Sequence, residues 1–242
     1  MNLIVDVGNT YVKFAVYKRN NLECKTSFEL PEFKKQYKNL KKKYPTIKRT
    51  IVSSVGRLSK KQLETIEEDL EVLELSHELK VPFKNSYKTP KTLGVDRIAL
   101  VSASVDQFPD RNVLIIDAGT CITYDFKTNK NEYLGGAISP GVTLRYKALN
   151  NLTANLPLLV TSQPKSIIGD STEESIHSGV IIGVLKEIDG LVEYYKENHQ
   201  DLTVILTGGD ANFLSNQLKN SIFANSNFLL EGLNFLLDYN TK

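Results

Sequence analysis

NLIVDVGNTYVKFAVY, residues 2–17, is the stretch that decides the fold. Leu3 to Val7 is an apolar run broken by Asp6, which predicts a buried strand. Gly8-Asn9-Thr10 has the composition of a turn, and Tyr11 to Tyr17, rich in β-branched and aromatic residues, predicts the second arm of a hairpin. An aspartate inside a buried strand is costly unless it has a partner. Asp6 is therefore a candidate functional residue.

The same pattern recurs in residues 113–126, VLIIDAGTCITYDF. Ile4 to Gly8 aligns with Ile115 to Gly119, at an offset of 111 residues. One repeat in each half predicts two similar domains, residues 1–111 and 112–242, that face each other across a cleft. Such a cleft is a natural ligand site.

The remaining chain predicts further helices and one turn. Residues 32–44 predict a helix, and Ser59 is a candidate N-cap for another that runs to Leu70. Gly135 to Gly141 is rich in glycine and predicts a turn that leads into a helix. Residues 173–197 predict one long helix, and residues 231–239 predict the C-terminal helix.

Composition excludes several classes of protein. The 242 residues are 41% hydrophobic and 24% charged with a net charge of +2, which suits one large or two small globular domains without nucleic-acid binding. The lysines of residues 34–43 fit the solvated face of a helix. We expect no signal peptide, no membrane partner and a cytoplasmic location. Cys24 and Cys121 lie too far apart in sequence to suggest a metal motif, and nothing suggests a disulfide framework.

The first hairpin can bind phosphate. Gly8 lets the backbone approach a phosphate closely, while turn N–H groups and the Thr10 hydroxyl can donate to phosphate oxygens. Asp6 can hold a hydrated Mg²⁺, and Lys13 is within plausible reach. A plain hairpin turn would also contain asparagine and glycine. The chain lacks the glycine-rich motifs of P-loop NTPases and Rossmann dehydrogenases.

Gly94-Val95-Asp96-Arg97 stands where a helix begins after a proline-containing loop. Asp96 could accept a proton from a hydroxyl nucleophile, and Arg97 could bind a carboxylate in bidentate fashion. The structural alternative is a first-turn carboxylate that interacts favourably with the helix dipole.

Two motifs of the second half could serve the same ligand. Asp117-Ala118-Gly119-Thr120 could bind a cation through Asp117 and a phosphate through Thr120. Thr207-Gly208-Gly209-Asp210 is a small-residue turn between a strand and a helix, which suits close approach of a nucleotide. It would equally suit an ordinary connection.

In this order and spacing, the motifs resemble the type III pantothenate kinase family over nearly the whole chain. The motifs that carry the resemblance are Asp6-Val7-Gly8-Asn9-Thr10, Gly94-Val95-Asp96-Arg97, Asp117-Ala118-Gly119-Thr120 with Thr123, Gly135-Gly136-Ala137-Ile138-Ser139-Pro140-Gly141, Leu156-Pro157, residues 169–176 and Thr207-Gly208-Gly209.

The resemblance implies an α/β fold of duplicated actin-like (ribonuclease H-like) domains, each a mixed five-stranded sheet with flanking helices. It implies phosphorylation of pantothenate by ATP, the first step of coenzyme A synthesis. It further implies Mg²⁺ with ATP, a monovalent cation such as K⁺ or NH₄⁺, and a homodimer with the active site near the subunit interface.

The resemblance also assigns roles to individual residues. The implied ATP contacts are Asp6, Val7, Gly8, Asn9, Thr10, Tyr11, Val12, Lys13 and Thr120. The implied pantothenate contacts are Tyr87, Gly94, Val95, Asp96, Arg97 and, from the partner subunit, Thr172. Asp96 corresponds to the proton acceptor, and Asp117 to the ligand of the monovalent cation.

Two alternatives remain at this point. One is another enzyme on the same fold, such as a sugar kinase or a polyphosphate hydrolase. The other is a regulator that binds nucleotide without turnover, although such a protein has no need of a base at Asp96.

Overall fold

The computed structural model describes residues 1–8, 11–54 and 58–241. The chain forms two compact units: Met1–Gln107 together with Asn227–Lys242, and Phe108–Ser226. Among the described residues, no helix has both the length and the apolar character needed to cross a bilayer.

The first unit contains a five-stranded mixed sheet with the strand order β3-β2-β1-β4-β5. Its strands are β1 (Asn2–Val7), β2 (Val12–Lys18), β3 (Asn21–Phe28), β4 (Arg49–Ser54) and β5 (Glu71–Glu74). The predicted hairpin is confirmed, because β1 pairs antiparallel with β2. Strands β4 and β5 run parallel to β1, so these three strands end at the same edge of the sheet.

Helices cover this sheet. The helices of the first unit are α1 (Phe33–Lys43), α2 (Lys60–Glu67), α3 (Val95–Gln107) and α8 (Phe228–Asn240), with 3₁₀ turns at Leu30–Glu32 and Pro90–Thr92 and a two-residue strand, β6 (Lys84–Asn85). The buried side chains Phe33, Tyr37 and Leu40 of α1 share one core with the odd-numbered residues of β1. The lysines of α1 therefore lie on its outer side, as its apolar spacing predicts.

Helix α8 belongs to the first unit, although the predicted division placed residues 227–242 in a second domain. The Asn2 amide donates to Asn234 Oδ1 (2.9 Å) and Asp238 Oδ1 (3.0 Å) of this helix. A Cβ on Gly232 would lie 2.1 Å from the Ala99 carbonyl oxygen, so this glycine lets α8 approach α3 closely. These contacts join residues more than 130 positions apart, which sequence periodicity does not report.

The second unit repeats the mixed sheet with the strand order β11-β10-β7-β8-β9. Its strands are β7 (Val113–Ala118), β8 (Cys121–Lys127), β9 (Glu132–Pro140), β10 (Thr203–Thr207) and β11 (Phe223–Ala224). The pair β7–β8 is antiparallel, whereas β7–β10 and β10–β11 are parallel. The second predicted hairpin and the mixed sheet are thus confirmed, but this sheet has six strands rather than the predicted five.

The prediction of a turn at Gly135 to Gly141 is wrong over most of its length, because residues 132–140 form β9. A Cβ on Gly136 would lie 1.5 Å from the Tyr124 carbonyl oxygen of β8. Glycine is thus required there for close packing of two strands, not for chain reversal. Only Gly141, the N-cap of the following helix, ends the strand as predicted.

The helices of the second unit are α4 (Val142–Asn151), α5 (Thr172–His177), α6 (Gly183–Asn198) and α7 (Ala211–Ser215). The single helix predicted for residues 173–197 is interrupted, because Ser178–Ile182 is a π-helix between α5 and α6. Ile176, Val180, Val184 and Ile188 pack on the same core as β7 and β8.

Candidate active site

Asp6 and Lys13 form an ion pair across the first hairpin. Asp6 lies near the end of β1, directly opposite Lys13 in β2, and the Lys13 Nζ is 3.3 Å from Asp6 Oδ2. The aspartate is 5% exposed. Burial raises its pKa, Lys13 partly offsets this, and the charge of Asp96 raises it further. The influence of Asp96 brings two predicted site residues, 90 positions apart in sequence, into one electrostatic site.

The turn after Asp6 is closed by its own backbone. The Gly8 N–H donates to the Tyr11 carbonyl at 3.0 Å, so this amide is already engaged within the turn. Val7 and Val12 are buried in the core and can offer a ligand only their backbone, whereas Tyr11 is 50% exposed. Asn9 and Thr10, both predicted to bind phosphate, lie outside the described residues.

Asp96 is held at the start of α3. The Arg97 backbone N–H donates to Asp96 Oδ1 at 2.9 Å. A Cβ on Gly94 would lie 2.4 Å from the same Asp96 oxygen, so the motif needs glycine at that position. Ahead of the motif, His77 Nε2 lies 2.7 Å from the Leu93 carbonyl oxygen. Because a carbonyl only accepts, the imidazole is the donor there.

Arg97 and Tyr87 are brought together as predicted partners of one ligand. The Arg97 guanidinium carbon lies 5.7 Å from the centre of the Tyr87 ring, which is the range of a cation–π interaction. The Arg97 side chain is only 4% exposed. Its role as the carboxylate anchor stays a prediction.

In the second unit, Asp117 lies directly opposite Thr123 rather than opposite a lysine. The Thr123 hydroxyl oxygen is buried and has no hydrogen-bond partner in the described part of the chain. Thr120 follows Asp117 and is exposed. Directly opposed residues of an antiparallel pair share a face of the sheet, so the carboxylate and this hydroxyl lie on the same side.

Gly208 lies close to the Asp117 carboxylate. It adopts a positive φ of 96°, and a Cβ there would lie 2.5 Å from Asp117 Oδ1 and 2.3 Å from the Ala118 carbonyl oxygen. The Asp210 N–H donates to that carbonyl at 3.0 Å. Burial raises the pKa of the Asp210 carboxyl, which also lies at this edge. Sequence spacing predicted the turn of this motif but not the role of Asp210 beside Asp117.

Thr172 lies in a different part of the second unit. It is the first residue of α5 and lines a groove of about 870 Å³ together with apolar residues of α4, among them Ala148 and Leu149. Arg145 of α4 borders the groove and pairs with Glu187. Burial raises the pKa of Glu187, but hydrogen bonds from Arg145, Tyr124 and Ser139 outweigh it and hold that pKa below the ordinary value.

Sequence reasoning did not single out three of these residues: His77, Thr123 as a neighbour of Asp117, and Asp210 as a carboxylate. Hairpin register predicts which residues lie opposite Asp6 and Asp117, but only if the turn lengths are known. The hydrogen bond between His77 and Leu93 spans an irregular loop, for which the sequence offers no periodic signal.

Comparison with known proteins identifies the relatives of this chain. The sequence model of a family described as type III pantothenate kinase matches residues 2–194. A type III pantothenate kinase of Christiangramia forsetii is 52% identical over 240 residues, which cover 99% of both chains.

Solved structures agree on the fold. A Campylobacter jejuni protein described as a Baf family transcriptional activator superposes with a TM-score of 0.65 at 20% identity, covering 98% of both chains. A glucokinase from an Antarctic psychrotroph superposes with a TM-score of 0.53 at 12% identity, also covering 98% of both. At such identities the likeness concerns the fold alone, and it agrees with the α/β fold that the family resemblance implies.

Proposed function

Because the chain belongs to the type III pantothenate kinase family and is an ATP-dependent pantothenate kinase, we propose that Asp6, Lys13 and Asp96 form its phosphoryl-transfer site. The observation that carries this proposal is the ion pair of Asp6 with Lys13, together with the electrostatic influence of Asp96 on Asp6. Phosphoryl transfer depends mainly on positioning and charge neutralisation. A carboxylate, an ammonium group and a second carboxylate supply both.

On the ATP side, residues 6–13 bind the phosphates, and Thr120 is the further ATP contact that the family resemblance implies. The carboxylate of Asp6 fits Mg²⁺, which prefers such oxygen ligands. When bound with ATP, Mg²⁺ neutralises phosphate charge. Lys13, next to Asp6, would donate to phosphate oxygens.

Asp96 acts as the proton acceptor. Its Oδ1 is held by the Arg97 N–H, which leaves Oδ2 to take the proton from the primary hydroxyl of pantothenate. The hydroxyl oxygen forms the new bond to the γ-phosphorus, and the bond from phosphorus to the β,γ-bridging oxygen breaks, so ADP leaves with that oxygen. Gly94, Val95 and Tyr87 complete the pantothenate side, and Arg97 binds the substrate carboxylate.

The proposed monovalent cation binds at Asp117. Among the described residues, no group of three or more His, Cys, Asp or Glu side chains could hold a metal ion. Asp117 is instead accompanied by the Thr123 hydroxyl oxygen and by the Ala118 carbonyl oxygen beside Gly208. One carboxylate with neutral oxygens suits K⁺ or NH₄⁺. When bound, the cation would supply positive charge at Asp117.

The proposed homodimer forms through the second unit. The irregular segment 152–168 exposes Leu152 (83%), Val160 (88%) and Ile168 (80%). The segment is anchored rather than loose, since Ser178 Oγ donates to the Ile167 carbonyl. Fixed and exposed apolar side chains are typical of an interaction surface. A second copy would cover this face and bring its Thr172 to the active site.

Sedimentation tests the dimer. We expect the wild-type chain to sediment as a dimer and Ile168→Asp to shift it towards monomer with reduced activity. Lys130→Asp, on the exposed turn between β8 and β9, is the control. A monomeric wild-type chain with full activity would contradict the dimer.

The proposed location is the cytoplasm. Cys24 and Cys121 are both free thiols, which is usual in a reducing compartment. Cell fractionation with antibody detection would check this, and recovery in an extracellular or periplasmic fraction would contradict it.

An ADP-release assay tests the site. Wild-type protein is expected to release ADP only with pantothenate, more rapidly with K⁺, and not with sugars or polyphosphate. Asp96→Asn should lower kcat by about 10²–10⁴, the usual cost of losing a general base, while the exposed Glu67→Gln of α2 should not. A folded Asp96→Asn variant with near wild-type kcat would rule out Asp96 as the base.

A further inference from the structure

Lys25 lies on the same face of the first sheet as Asp6 and Lys13. Asp6 is opposite Lys13, and Lys25 is opposite Ala15, two residues further along β2. Residues two apart in a strand share a face, and so do residues directly opposite each other. Lys25 is therefore the diagonal neighbour of Lys13, at a Cβ distance of about 7–8 Å that two lysine side chains readily span.

The two ammonium groups have different partners. Lys13 pairs with Asp6 at 3.3 Å, whereas Lys25 Nζ donates to the neutral Asn227 Oδ1 at 2.8 Å. In the described part of the chain, Lys25 forms no ion pair. Burial and then repulsion from Lys13 lower the pKa of Lys25. Before any ligand binds, the Lys25 ammonium group is thus hydrogen-bonded to a neutral amide rather than to a carboxylate.

An oligophosphate would compensate this charge. Lysine is a common point-charge partner of phosphate. An ammonium group has three donors, so Lys25 can keep its bond to Asn227 and still donate to phosphate oxygens. With Mg²⁺ on Asp6, Lys13 would lose its ion-pair partner, and a triphosphate would supply several negative charges across the distance between the two lysines.

We propose that Lys25 acts with Lys13 to bind the oligophosphate of ATP in this chain. The inference rests on the proposed function of the first hairpin and extends its site to a third strand. The structural alternative is that Lys25 only ties β3 to the start of α8 through Asn227. The two hypotheses predict different effects of removing the Lys25 charge on ATP affinity and on the stability of the fold.

Kinetics provide the first test. Lys25→Met, which keeps the side-chain length but removes the charge, should raise the KM for ATP about tenfold, the range expected for one lost charge-assisted hydrogen bond. The KM for pantothenate should change less than about twofold. Lys25→Arg should recover most of the ATP affinity. Lys18→Met, on the exposed end of β2, is the matched control and should leave both KM values unchanged.

Calorimetry separates this inference from the proposed reaction, because it needs no turnover. Lys25→Met should weaken binding of both ATP and inorganic tripolyphosphate to the full-length chain by a similar factor, less so at high salt. Wild-type protein that binds both but releases no ADP with pantothenate would contradict the proposed function while supporting this site.

Thermal unfolding supplies the decisive control. Without ligand, Lys25→Met should be as stable as wild type or more stable, since the substitution removes repulsion between two lysines. The stabilisation that ATP confers on wild type should shrink. A lower melting temperature of the ligand-free variant, with an unchanged KM for ATP, would overturn the proposal and leave Lys25 as a structural tie.

Discussion

The two Asp-x-Gly hairpins of this chain have similar backbones but differ in the residue that lies opposite the aspartate. In the first, Asp6 faces Lys13 across the strands, whereas in the second Asp117 faces Thr123. The difference arises in the turns: the last pair is Val7–Val12 in the first hairpin and Ala118–Ile122 in the second, so the first turn is one residue longer (residues 8–11 against residues 119–121). The same motif therefore meets a cation in one unit and a hydroxyl in the other.

This contrast explains how one duplicated motif can support two roles. The first hairpin carries its own positive charge and suits an anionic phosphate. The second places a hydroxyl rather than an ammonium group opposite its carboxylate, and the proposed ligand there is a small cation. A kinase that transfers a highly charged phosphoryl group needs both functions.

In the comparison of the two hairpins, the largest expected effect is that of Asp6→Asn. Loss of this charge removes the proposed Mg²⁺ ligand and the partner of Lys13, and we expect kcat to fall by about 10²–10³, as for loss of one strong electrostatic contribution. Steady-state ADP release measures it. If kcat fell less than threefold, the first hairpin would have no special electrostatic role.

Asp117→Asn should have a smaller and different effect. We expect it to abolish stimulation by K⁺, leaving activity equal to that of wild type without K⁺. The measurement is ADP release against K⁺ concentration at constant ionic strength. Asp6→Asn serves as the control, because its residual activity should still respond to K⁺. An unaltered K⁺ response in Asp117→Asn would place the cation elsewhere.

Thr123→Val should sharpen the comparison further. Removing the hydroxyl should raise the K⁺ concentration for half-maximal stimulation several-fold. It should not destabilise the protein, since this buried hydroxyl has no partner within the described residues; valine should stabilise by up to about 1 kcal/mol. Thr123→Ser retains the oxygen and should bind K⁺ normally. Urea unfolding and K⁺ titration check both statements.

The smallest effect is a pH dependence of stability that belongs to the first hairpin. Burial holds the folded pKa of Asp6 above 3.8, the ordinary value that applies in the unfolded chain. The stability from this shift is fully present below pH 3.8 and is lost as pH rises through the folded pKa. The unfolding free energy of wild type relative to Asp6→Asn should therefore decline with rising pH and then level off.

Lys13→Met tests the cause of that decline. Lys13 lowers the pKa of Asp6. The unfolding free energy of Lys13→Met, measured relative to the double variant that also carries Asp6→Asn, should therefore decline at a higher pH than in the wild-type comparison. A decline at the same pH would mean that Lys13 does not influence Asp6.

Local pattern predicted much of the fold. The apolar runs of β1 and β7, the arms β2 and β8 and the helix after Ser59 follow from periodicity and turn chemistry. The glycines of β9 predicted a turn instead of a strand. In the structure, Gly136 allows β9 to pack closely against β8. The interruption at Ser178–Ile182 was missed because the apolar spacing continues through a π-helix.

By itself, the sequence determined the duplicated strand–aspartate–glycine hairpins, the family and the reaction, because these depend on residues adjacent in the chain. Only the tertiary structure decided that Asp6 pairs with Lys13, that Lys25 joins them, and that α8 closes the first unit rather than the second. These facts depend on strand register and on contacts between distant segments. Such contacts form only when burial of apolar faces brings the segments together, and no local spacing encodes them.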